Sequence, residues 1–132
     1  AQHFTASRGL PMRMVILSAV FLLAGLAATT AGATCIYPRP PENIPDGATA
    51  TYEEMVAAQT AVKQFDADIA AYNACLAMEL QALLDSGGID DARRAELEAM
   101  QVKKNNAAVD EAQTVADRFN EQLRVYKERN KK

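Results

Sequence analysis

The sequence predicts an all-α fold: an antiparallel two-helix hairpin, preceded by an extended Pro-rich segment that a disulfide staples to it. Three observations predict it. Apolar residues recur every seven positions from Met55 to Leu83. Prolines crowd positions 38, 40, 41 and 45 and do not recur after them. Two cysteines, Cys35 and Cys75, fall one in each of these regions.

The first element is a leader, residues 1–33. Arg8 and Arg13 precede the uncharged apolar run Val15–Ala28, and Ala31 and Ala33 occupy the small-residue positions that a signal peptidase reads. The run is roughly 14 residues, short of the about 20 that a bilayer span needs. The expectation is a cleavable signal peptide, with the mature chain beginning near Thr34 outside the cytoplasm. Residues 1–11 read as a preface, with translation starting at Met12 or Met14. The one histidine, His3, lies in that preface. A lipid-attachment signal asks for an apolar residue three positions before the cysteine and Gly or Ala just before it. Here those positions hold Gly32 and Thr34.

The second element spans 34–51. Four prolines within eight residues exclude both helix interior and strand ladder, and favour an extended polyproline-like path. Pro45-Asp46-Gly47 then supplies a turn. An even pair of cysteines in a short exported chain reads as a bridge, so Cys35 and Cys75 are expected to pair. Reach permits it: Thr51 to Cys75 is about 36 Å of helix, and Cys35 to Thr51 reaches about 50 Å when extended.

The third element is the hairpin, 52–132, with helices expected over about 52–85 and 91–130. Thr51 and Glu54 form a capping-box pair at the first start. Met55, Val62, Ile69, Leu76 and Leu83 recur by seven with Ala58, Phe65 and Tyr72 between them, the stripe of a helix packed along its length on another. Glu79 interrupts it. Asp85-Ser86-Gly87-Gly88 stops the helix, with Gly87 as left-handed cap, and Asp90 or Asp91 caps the next. The second stripe, Leu97, Met100, Ala108, Ala112, Val115, Phe119, Leu123 and Tyr126, is interrupted at Lys103–Asn106, where a kink, loosening or exposure is expected in one long helix. The basic C-terminal end should lie beside the acidic start of the first helix. Outward alanine faces would allow copies to pair into a four-helix bundle.

The stretch from Cys35 through Ile44-Pro45-Asp46-Gly47-Ala48-Thr49-Ala50, Glu54-Met55, Gln59, Val62, Phe65 and Tyr72 to Cys75-Leu76 resembles small exported proteins of Gram-negative bacteria that are catalogued as uncharacterised. The resemblance implies periplasmic placement and the Cys35–Cys75 pairing, and no activity.

All 17 acidic residues lie after position 33, with all of the 14 basic residues except Arg8 and Arg13, so residues 34–132 carry a formal charge of −5. That balance argues against nucleic acid as a partner. Asp85, Asp90 and Asp91 at the hairpin tip lack the alternating spacing and terminal glutamate of a calcium loop. Asp66 with Asp68, and Glu96 with Glu98, sit two apart on a helix and face differently. Tyr37 among its prolines reads as packing on the first helix in preference to a ligand for a groove-type domain, and the basic tail from Arg124 as helix-end stabilisation in preference to a lipid contact. The cysteines do not form a Cys-x-x-Cys redox motif.

The expectation is therefore a non-catalytic periplasmic or secreted protein, without cofactor or metal, that acts by binding an envelope protein or itself. No stable membrane span is expected after signal cleavage. Phe65, Tyr72, Phe119 and Tyr126 are the candidate interaction face, although the same stripes serve equally as the hairpin's core. Alternatives are a periplasmic chaperone or envelope-stress adaptor, and a redox or hydrolytic enzyme.

Overall fold

A computed structural model describes residues 34–131. The expected leader, preface and His3 lie outside the described residues. Two helices follow the Pro-rich segment, α1 (Tyr52–Asp85) and α2 (Asp91–Arg129), and no strand occurs among the described residues. They are about 51 and 58 Å long at 1.5 Å per residue.

The caps are those that the side chains dictate. At α1 the Glu54 amide donates to Thr51 Oγ1 (3.1 Å), and the Thr51 amide donates to Glu54 Oε2 (2.7 Å), a closed capping box. The helix ends at Ser86, whose amide reaches the Ala82 carbonyl at 3.1 Å. Gly87 and Gly88 then take φ of 77° and 75°, a left-handed region that any Cβ would resist. Asp90 caps α2 by accepting from the Arg93 amide at 2.7 Å. Asn130, expected as the last helical residue, is the C-cap instead.

The helices run antiparallel. Met55 and Ala58, early in α1, cluster with Phe119 late in α2, and Phe65 and Ile69 cluster with Ala108, Ala112 and Val115. Ile44 of the leading segment packs into both clusters. Burying Phe65 (3% exposed) and Phe119 (5%) stabilises by about 1.5–3 kcal/mol each.

Full burial stops short of the hairpin tip. Buried positions of α1 end at Leu76, and those of α2 begin at Ala108. Leu83, expected in the core, is 49% exposed, and Met100 is 43% exposed. The physical reason is the third layer. The leading segment packs beside the two helices only between Cys35 and Ala50. Beyond Cys35, among the described residues, two helices alone leave the flanks of their seam open.

α2 continues through Lys103–Asn106 without a break, and Lys103, Lys104 and Asn106 are exposed there. The basic end of α2 lies beside the start of α1, as expected, with Tyr126 packed in the cluster of Met55, but among the described residues no ion pair joins the two ends. Among the described residues the ion pairs lie within α2: Arg93 with Glu96, and Arg124 with Glu121 and Glu128. All are exposed, so each is worth little. The Arg124 guanidinium holds the Glu121 carboxyl below its usual range. Arg129 instead donates to the Ala48 and Ala50 carbonyls, each at 2.6 Å.

Candidate functional site: the stapled segment and the seams it leaves open

Cys35 and Cys75 are joined, with Cα atoms 5.8 Å apart, ordinary for a disulfide. Glu79 lies one turn beyond Cys75 on α1 and accepts the Cys35 amide at 3.0 Å. That contact explains the apolar stripe's interruption at 79: the leading segment needs an acceptor there. The ligand-type atoms of Cys35, Cys75 and Glu79 lie within 4.8 Å of one another. Metal coordination needs thiolates, and both sulfurs are committed to the bridge.

Two residues on, Tyr37 stands edge-on to Tyr72 of α1, with centroids 5.1 Å apart and planes at 74°, and its hydroxyl donates to Glu111 of α2. Burial, then the hydrogen bond to Glu111, push the phenol up to about 12. One side chain thus ties the segment to both helices. The segment ends in a turn built on Asp46, whose Oδ1 accepts the Ala48 amide at 2.8 Å and whose carbonyl accepts the Ala50 amide at 2.8 Å. Gly47 is buried against α2, its amide donating to Gln122 Oε1 at 2.8 Å.

The structure does not gather Phe65, Tyr72, Phe119 and Tyr126 into one exposed face. The two phenylalanines are core residues of the single chain. Tyr72 is half-buried under Tyr37, and Tyr126 is half-buried with the Arg129 guanidinium 5.2 Å from its ring centre.

Open apolar surface lies elsewhere. A groove of about 70 Å³ continues the track of the leading segment past the disulfide toward the tip, lined by Leu76, Glu79, Leu80, Leu83, Leu97 and Met100. A second groove, of about 250 Å³, lies on the other flank of the seam beside Ile69, Ala70, Asn73, Val109 and Ala112. Leu97, Met100 and Leu83 were legible as stripe positions. That they stay uncovered follows from where the disulfide ends the third layer, which periodicity does not record.

Comparison with family models, curated proteins and solved structures gives no match. Among the described residues no helix is long and apolar enough to cross a membrane.

Proposed function

We propose that the protein is an exported, non-catalytic helical hairpin of the periplasm or extracellular space that acts by binding another envelope component. The apolar groove beyond Cys35 carries this reading. It continues the track of the leading segment, and its walls include Leu83 and Met100, both partly open to solvent. Exposed apolar surface of this kind marks an interaction site when it is contiguous. The uncharged run Val15–Ala28, the small residues at 31 and 33, and the likeness to small exported Gram-negative proteins support the compartment. So does the disulfide.

The test places a photocrosslinking residue at Leu83, and separately at exposed Thr60, in the full chain expressed in a Gram-negative host. A discrete adduct from 83 and none from 60 is expected. Equal or absent labelling at both sites overturns the binding role. N-terminal analysis of the product decides the compartment: processing near Thr34 is expected, and an unprocessed cytoplasmic chain overturns export.

A chaperone or stress-adaptor role is the second reading, favoured by one observation. The groove extends a track occupied by an extended Pro-rich segment, and Leu83 and Met100 beside it offer exposed apolar contacts to an unfolded chain. Suppression of aggregation at near-stoichiometric ratios, lost on Leu83→Asp, is the expected outcome.

A further inference from the structure

We propose that the flank of the hairpin opposite the Pro-rich segment binds a second copy of this chain, closing a four-helix bundle. The inference deepens the interaction reading above by naming a partner for a different surface.

The segment uses one flank of the α1–α2 seam. Its anchors are Tyr72, Cys75 and Glu79 on α1 and Glu111 and Gln122 on α2. At 100° per residue, Asp66, Ala70 and Asn73 of α1 fall on the other flank, as do Val109, Gln113 and Ala116 of α2. These residues line the 250 Å³ groove. Three of its eight lining residues are alanines (70, 112 and 116), which let a facing helix approach to the close end of the usual interaxial range. Val109 is 53% exposed, and Val102, two turns earlier, is 55% exposed. Large apolar side chains beside alanine hollows are a knob-and-hole surface with its complement on the same molecule.

Area and polarity fit a second copy. A two-helix layer is about 20 Å wide, and α1 is about 51 Å long, so the flank offers on the order of 1,000 Å². A standard interface needs about 800 Å² per partner. Asp66 is the one charged residue among those lining the groove, so closing two copies over it buries little charge.

A two-fold axis along the helices sets each α1 against the α2 of the other copy at the same level. Val109 and Ala70 line one groove, so Val109 of each copy then faces the α1 turn that carries Ala70 in the other.

Sedimentation equilibrium of the full chain, purified after export across a micromolar to submillimolar series, tests this. A mass twice that of one chain at tens of micromolar is expected. Val109→Glu and Gln113→Lys, at positions exposed in the single chain, should each weaken the dimer at least tenfold with unchanged far-UV dichroism, and Thr60→Glu should not. A monomer at every concentration overturns the proposal, as does a dimer indifferent to both groove variants. Either result leaves the Leu83 crosslinks to decide the separate question of an envelope partner.

Discussion

Gly47→Ala sets two physical effects against each other. Gly47 does not take a left-handed φ, unlike Gly87 and Gly88. On backbone entropy alone, replacing such a glycine by alanine stabilises by about 0.4–1 kcal/mol. The contact says otherwise. A Cβ at 47 would overlap the Gln122 carbonyl oxygen and lie 2.8 Å from the Tyr126 amide nitrogen, both backbone atoms of a rigid helix. Ordinary carbon–oxygen contacts run about 3.3–3.6 Å, so the turn must retreat by about 1.5 Å. That retreat breaks the Gly47–Gln122 bond and strains the two Arg129 bonds to the Ala48 and Ala50 carbonyls. At about 1 kcal/mol for the first and somewhat more for the charged pair, with the exposed geometry discounted, the net loss is about 2–4 kcal/mol. For a domain of this size that is a fall in Tm of about 10–25 °C. Thermal unfolding followed at 222 nm measures it, with exposed Ala48→Ser as control. A Tm that rises, or falls by less than about 3 °C, would show that the turn does not seat against α2 and refute the three-layer packing.

Cys35→Ala with Cys75→Ala removes a bridge between positions 40 apart, worth about 4 kcal/mol on chain entropy, and urea melts should show that loss with most helix retained at low temperature. Tyr37→Phe tests the phenol. Its folded value of about 12 exceeds the usual value near 10, so its stabilisation is complete below about pH 10 and lost as pH rises through about 12. The wild-type chain should therefore lose stability faster than the phenylalanine variant across that window, and parallel pH profiles would count against the Glu111 bond. Asp90→Ala removes the α2 cap at a cost of about 1 kcal/mol, read as a 4–8 °C drop in Tm, and Asp90→Asn should recover most of it.

What the sequence made legible divides along physical lines. Both helices, their caps at Thr51 and Asp90 and the glycine stop rest on local chemistry or on short-range periodicity, the cysteine pairing rests on their even number, and each is where the residues place it. The interruption at Glu79 was visible, but its cause was not, since the donor it answers is the Cys35 amide, 44 positions away. Gly47 reads as a turn residue in any sequence, and only the docked helix shows why no side chain fits there. Of the kink, loosening or exposure expected at Lys103–Asn106, exposure in one unbroken helix is what occurs. Exposed lysines cost a helix nothing, and Ala108 restores the buried stripe one turn later.

The heptad pattern over-promised at one place, and the reason bears on function. Met55 through Leu76 and Leu83 look alike as a periodic series, yet burial fails between Leu76 and Leu83. Periodicity reports which side chains share a face. It does not report how many layers cover that face. Among the described residues the count drops from three to two at the disulfide, where Cys75 fastens the segment at Cys35. The staple therefore does two things at once. It closes the core below it by holding Tyr37 and Ile44 against both helices, and it sets the limit beyond which Leu80, Leu83, Leu97 and Met100 stay available. Cutting the bridge should release the segment and merge the two regions into one longer open seam. A partner that reads only the tip groove would then lose its boundary, so crosslinks from position 83 should spread toward position 72 in the Cys35→Ala, Cys75→Ala chain. Unchanged crosslinks would mean that the segment stays seated without its staple, and that the leucines at the tip owe their exposure to the divergence of the helices alone.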